Sequence, residues 1–187
     1  MSHKAMPEKQ GLYDPDNERD SCGVGFVADI KNRKSHKIVQ DGLTILKRLH
    51  HRGAVGADPK AGDGAGILVQ IPDEFFREVV DFELPPAGEY GVGHVFLPRD
   101  DEAHARKMQD IIEECIAKSG QTVLGWRDVP TDNSDLGFSV LPSEPAVRQV
   151  FVGCEQCPDQ EEFERRLFIT RKAMDNQIRR EGYTVTD

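Results

Sequence analysis

Long apolar runs are missing from this sequence. Its longest, such as 64–71 and 91–97, stop at about eight residues, against the roughly 20 that a bilayer-spanning helix needs. A transmembrane helix is therefore excluded. Positive charge is also short: 24 Lys and Arg face 33 Asp and Glu, for a net charge of -9. That balance opposes the counterion release that drives binding to phosphate backbones and anionic lipid surfaces. Neither nucleic acid nor membrane is expected as a partner. Residues 1–21 are polar and lack the apolar core of roughly 7 to 15 residues that defines a secretory signal, so a cytoplasmic location is expected. Cysteine is sparse as well. Cys22, Cys115, Cys154 and Cys157 do not make a disulfide framework, and reduced thiols are the expectation for a cytosolic chain.

What is present is the composition of one soluble globular domain: 187 residues, 37% hydrophobic and 30% charged, enough to bury a sizeable core. Residues 1 to about 20 carry Pro7, Gly11, Pro15 and many charges without apolar periodicity. They read as a loosely tethered leader, with structure beginning at Cys22. Val24, Phe26 and Ile30 suggest a short strand before a polar turn. Apolar spacing then predicts a helix over 38–50, a strand over 65–71, a helix over 73–80 and a buried strand over 90–97. The helix over 100–119, with Ala103, Met108, Ile111, Ile112, Cys115 and Ile116 on one face, is the clearest element. Short strands are expected at 122–127, 137–141 and 148–152, and a charged helix at 161–180 with Phe163, Leu167, Phe168 and Met174 inward. Tyr183 opens a further strand.

Chemistry concentrates at Arg19-Asp-Ser-Cys22-Gly-Val-Gly-Phe26, where a cysteine stands between a polar leader and an apolar strand. Removal of 1–21 would leave an α-amine, of pKa near 8, beside the thiol as its general base. Gly23 and Gly25 would allow a substrate close to the backbone. By spacing alone, a small buried apolar cysteine is the more ordinary reading.

The weighting changes with resemblance. Leu12-Tyr-Asp-Pro15 through Cys22-Gly-Val-Gly-Phe26, then His51-Arg-Gly-Ala54, then Gly62-Asp-Gly-Ala-Gly66 resembles, in order and spacing, the opening of glutamate synthase large subunits. Val123-Leu-Gly-Trp-Arg-Asp-Val-Pro130 and Phe163-Glu-Arg-Arg-Leu-Phe-Ile169 extend the likeness along nearly the whole chain from about residue 11. The His-Arg-Gly element occurs in several class II glutamine amidotransferases, so the specificity lies in the joint pattern.

The resemblance implies an α+β, N-terminal nucleophile hydrolase-like αββα sandwich of antiparallel sheets, incomplete at its C-terminal end. It divides the chain into a leader, 1–21, and the first portion of a type 2 glutamine amidotransferase domain, 22–187. Cys22 would be the nucleophile that attacks glutamine and releases ammonia through a glutamyl thioester. Gly23, His51, Arg52 and Gly53 would support the site or bind substrate, with Arg52 anchoring the strand or the new N-terminus in preference to touching substrate. The family's oxyanion donors, each worth roughly 3 to 4 kcal/mol in comparable sites, and its clasp for the glutamine α-groups fall after residue 187. The fragment is accordingly expected to be inactive alone. No cofactor is expected in it; FMN and an iron-sulfur cluster belong to the full-length protein. Its partners would be glutamine, the rest of the synthase chain, and a reductase subunit or ferredoxin.

Other features read more plainly. Asp63 is a turn acid before the strand at 65–71, and Gly62 to Gly66 lacks the Gly-Lys-Ser/Thr of a phosphate loop. Cys154-Glu-Gln-Cys157 could hold zinc or take part in thiol exchange, but it reads first as a solvated loop between strand and helix, because a structural zinc site needs four ligands and no second pair lies nearby. Two alternatives stand beside the glutaminase reading: a non-catalytic binding or regulatory module of the same fold, and another class II amidotransferase of the phosphoribosylamine-forming type.

Overall fold

The structure is a computed structural model that describes residues 23–50, 57–62 and 64–183. It divides into two compact units, 1–68 and 69–187.

In the first unit, helix α1 (His36–Arg48) covers most of the helix expected at 38–50. It starts after an extended Ser35 and ends on Leu49, with Lys47 and Arg48 in its last turn, where cations suit the negative end of the helix dipole. The turn before it is closed by the Asn32 N–H donating to the Asp29 carbonyl (2.9 Å). Asn32 sits there at φ 53°, a left-handed conformation that asparagine tolerates. The Asp29 carboxylate accepts from the Lys31 N–H (2.7 Å) and from the Arg33 guanidinium (2.9 Å).

Neither the run 24–28 nor the run 65–71 forms a ladder, contrary to the strands expected there. A strand exists through a neighbour that takes its N–H and C=O groups. β-branched composition supplies the propensity and not the partner. Val24, Phe26, Ile30 and Leu68 are correspondingly exposed.

The second unit holds a three-stranded antiparallel sheet of order β1-β3-β2. Its strands are β1 (Tyr90–Leu97), β2 (Thr122–Asp128) and β3 (Ala146–Gly153). Helix α2 (Asp73–Val79) precedes β1, α3 (Glu102–Lys118) joins β1 to β2, and α4 (Gln160–Arg180) follows β3. β3 pairs with both neighbours, Tyr90 and Thr122 each lying opposite Gly153. β1 and β2 therefore run parallel to each other on either side of it. A register shift between Val123 and Gly125 bulges β2.

Alternation along the strands separates two faces. On one, Val95, Leu97, Val123, Trp126, Val150 and Val152 meet Met108, Ile111, Ile112, Cys115 and Ile116 of α3 and Leu167 and Met174 of α4. The Trp126 indole N–H donates to Glu113 of α3 (2.8 Å), which satisfies its polar edge. On the other face Phe151 is fully buried, with Phe76 5.0 Å away edge-on and Phe82 5.2 Å away at a tilt.

Phase accounts for several departures from expectation. Ala105, not Ala103, is buried on α3. On α4 the inward positions are Phe163, Leu167, Thr170 and Met174, while Phe168, about 100° further round the helix, is 58% exposed. Residues 137–141 form no strand, because the Gly137 carbonyl accepts from the N–H groups of Val140 and Leu141 (both 3.2 Å). A 3-10 turn, Leu141–Ser143, follows with Pro142 at its start, and proline cannot donate to a ladder.

The expectation of reduced thiols also fails at one place. Cys154 and Cys157 lie in the loop between β3 and α4, as expected, but they are bonded to each other as a disulfide. Cys115 stays free and buried, a packing residue on α3. The strand opened by Tyr183 falls mostly on residues outside those described; Tyr183 itself packs against the α3 cluster.

Candidate functional site

Of the residues expected to carry chemistry, Cys22, His51, Arg52 and Gly53 lie outside the described residues, as does Asp63. Gly23 is described. A methyl group built on it would stand 2.9 Å from Leu49 Cδ2, and one on Gly25 would stand 2.6 Å from Ile45 Cγ2. Both distances are below ordinary van der Waals contact, so a side chain at either position would have to displace Leu49 or Ile45 from this approach to α1. The consequence is positional. Gly23 follows Cys22 directly, and Leu49 stands two residues before His51. The helix thus gathers the backbone flanking the candidate nucleophile and the backbone flanking the His-Arg-Gly element.

Asp29, six residues past Gly23, is the perturbed acid among the described residues of this unit. The Arg33 guanidinium holds its carboxyl below the usual carboxylate range, helped by the Lys31 and Arg33 N–H groups. It is committed to the turn and offers no proton for catalysis.

The second unit carries a polar row that sequence reasoning passed over. Arg127 donates to Gln149 Oε1 (2.8 Å), and Gln149 Nε2 lies 3.1 Å from His94 Nε2. Arg127 also stands 5.6 Å over the Phe75 ring. These side chains project from three strands onto the face opposite α3, beside Phe96, which is 66% exposed. The signal available in the sequence was weak: one polar residue at an alternate position in each of three strands. Nearby, Asp73 accepts from the Tyr90 hydroxyl (2.9 Å) and from Arg77 (3.0 Å), and Arg77 reaches on to the Leu84 carbonyl (3.0 Å). Asp73 is thus the first residue of α2 and Pro72 occupies its cap.

Metal chemistry finds no such arrangement. Among the described residues no three His, Cys, Asp or Glu side chains come together as a ligand set, and Cys154 and Cys157 are bonded to each other. They do not fit an iron-sulfur cluster.

An antiparallel α+β unit is thus joined in sequence to a segment in which a cysteine precedes glycines packed on a helix. The chain belongs to the class-II glutamine amidotransferases, whose family profile matches residues 22–186. It is 45% identical to the glutamate synthase [NADPH] large chain of Bacillus subtilis over 178 residues, 94% of this chain and 12% of that protein. It is 42% identical to the glutamate synthase [NADH] of Saccharomyces cerevisiae, over 95% of this chain and 9% of that one. With the ferredoxin-dependent glutamate synthase 2, chloroplastic, of Arabidopsis thaliana the identity is 37%, over 95% and 11% respectively. The chain thus spans about a tenth of the length of these relatives.

Proposed function

We propose that this chain is the glutaminase portion of a glutamate synthase, with Cys22 as its nucleophile. The observation that carries the reading is that the family match begins at residue 22, the cysteine itself, and leaves 1–21 outside it. Residues 1–21 are then a leader whose removal frees the α-amine of Cys22. That amine, with a pKa near 8, takes the thiol proton, and the thiolate attacks the side-chain amide carbonyl of glutamine. The tetrahedral intermediate collapses as the amine returns the proton to the departing nitrogen, giving ammonia and a glutamyl thioester. Water, deprotonated by the same amine, then attacks the thioester; glutamate leaves and the thiol is restored.

In this reading Gly23 and Gly25 place Cys22 through their contact with α1, and His51, Arg52 and Gly53, which follow the C-terminal end of that helix, border it. The finer fold follows the family: a second antiparallel sheet would cover the face that carries Phe96 and the Arg127-Gln149-His94 row. Ammonia would pass to a synthase site elsewhere in the intact protein, which acts with FMN, an iron-sulfur cluster and a reductase subunit or ferredoxin in the cytoplasm. The described residues offer no ligand set for the cluster, and no step here is routed through either cofactor. No observation favours a non-catalytic module over the enzyme.

The test is made on protein expressed from the complete gene. Intact mass and N-terminal sequencing should find a chain that begins at Cys22, and a glutamine analogue carrying an electrophile should label that residue. Cys22→Ala should abolish both labelling and glutaminase activity. A chain that keeps residues 1–21 yet hydrolyses glutamine, or label placed on Cys115, Cys154 or Cys157, would overturn the assignment.

A further inference from the structure

Three features outside the proposed catalytic segment converge on one spot. Cys154, directly after β3, is bonded to Cys157, two residues before Asp159 caps α4. Cys154 Sγ lies 4.0 Å from Arg166 Nη1 and 3.9 Å from the Gly120 carbonyl oxygen. Gly120, at φ +70°, lies in the turn between α3 and β2, and a methyl group on it would stand 3.7 Å from the same Arg166 nitrogen. Glu162 holds the guanidinium through its Nε (2.9 Å). One sulfur of the pair is thus seated between a carbonyl and a fixed cation. The other, in Cys157, has no such cation beside it among the described residues; the surface cavity of about 260 Å³ along the first turn of α4 is lined by its neighbour Pro158 and by Arg166 alike. The two sulfurs are therefore chemically unequal.

We propose that Cys154 and Cys157 are a reversible redox site, a two-electron disulfide/dithiol couple opened by a protein dithiol through attack at Cys157. The inference does not depend on the glutaminase reading. Exchange runs by a thiolate attacking one sulfur of the disulfide, and it is faster when the departing sulfur is the more stable thiolate. Here the departing sulfur is Cys154, beside Arg166. The incoming thiolate bonds to Cys157 Sγ, the Cys154–Cys157 bond breaks, and its electron pair leaves on Cys154 Sγ, stabilised by the guanidinium until it takes a proton. The partner's second thiol then attacks the mixed disulfide and frees Cys157 as a thiol. The site gains two electrons and two protons, and the partner dithiol loses the same. Opening the pair releases the covalent tie between the last residue pair of the sheet, at Gly153, and the N-terminal turn of α4. A cytosolic thiol pool would hold the couple open and oxidative conditions would close it.

The experiment uses the full chain, with dithiothreitol as the probe dithiol. Protein treated with the two-electron thiol oxidant diamide, alkylated with iodoacetamide and mapped by peptide mass spectrometry should show Cys154 and Cys157 unmodified and two hydrogens lighter than the dithiol peptide. After reduced dithiothreitol both should carry label. The rate of opening at neutral pH should fall about threefold in Arg166→Gln, from the leaving-group dependence of exchange. In a denaturant that unfolds both proteins, wild type and variant should be reduced at equal rates, which separates the local charge from any change in the peptide. Two free thiols after diamide treatment would overturn the proposal, and so would a native-state rate untouched by Arg166→Gln.

Discussion

Tyr90 shows how one buried hydroxyl ties local chemistry to stability. It is the first residue of β1 and fully buried, and its O–H donates to Asp73 at the start of α2 (2.9 Å). Burial, and after it the hydrogen bond to Asp73, pushes its pKa up from an ordinary 10.0 to about 12. The folded state therefore keeps the proton at pH values where the unfolded chain has lost it. A group raised in this way contributes stability that is complete below pH 10 and is lost as the pH climbs from 10 towards about 12. Urea midpoints measured from pH 7 to 11.5 should be flat at first and then fall. Tyr90→Phe should be less stable at pH 7 by about 1 kcal/mol, the net worth of one hydrogen bond, and should show a shallower alkaline fall. An unchanged alkaline fall in the variant would remove Tyr90 as its source.

At the scale of elements, α3 is the organising piece of the sheet-bearing unit. Its buried stripe runs from Ala105 through Met108, Ile111, Ile112 and Cys115 to Ile116, at the three- and four-residue steps that align side chains on one face. Asp101 starts the helix by accepting the His104 N–H (2.9 Å). Ile116 is completely buried among Val150, Val152 and their neighbours. Ile116→Ala should therefore cost about 2 to 5 kcal/mol, the range for truncating a core isoleucine where the surroundings relax only in part. Phe168→Ala on α4, at an exposed position, should cost about 0.5 kcal/mol or less. Equal losses in thermal unfolding would contradict the assignment of faces. This contrast also marks what could be read from the sequence. The stripe on α3 was legible because helical periodicity is local, and β1 and β3 were legible as apolar runs near their observed bounds. Phe168 was misassigned because hydrophobicity alone does not fix phase. Residues 137–141 were misread because a 3-10 turn and a short strand share composition, and only the hydrogen bonds to Gly137 separate them. The Cys154–Cys157 bond was unreadable for another reason: spacing permits a disulfide, but the approach of two sulfurs is a property of the β3–α4 turn. Of the candidate site, Cys22 and the His-Arg-Gly element are assigned through resemblance and lie outside the described residues. The seating of Gly23 and Gly25 on α1 is a tertiary contact that spacing does not specify.

Across the whole chain, burial is divided unequally between the two units. Every buried hydrophobic residue among those described lies in 69–187, from Phe76 to Phe163, whereas α1 in the first unit has no fully buried residue. Helices owe most of their stability to packing of the apolar face, and an isolated helix as short as the 13 residues of α1 is marginal in water. Its contacts with Gly23 and Gly25 hold a neighbouring segment and do not enclose it. Native-state hydrogen exchange should therefore split by unit. Amides of α3 and β3 should exchange only through global unfolding, with protection that falls with denaturant at the global slope. Amides of α1 should exchange through local opening, with protection lower by about 2 kcal/mol or more and nearly independent of denaturant. If α1 instead matches α3 in protection and slope, the two units unfold as one and α1 draws its stability from the second. The same pattern bears on the glutaminase proposal, because the segment that opens on Cys22 rests on α1. A ligand that orders the site, such as a glutamine analogue bound to protein from the complete gene, should raise α1 protection while leaving α3 unchanged, since linkage stabilises only what binding holds.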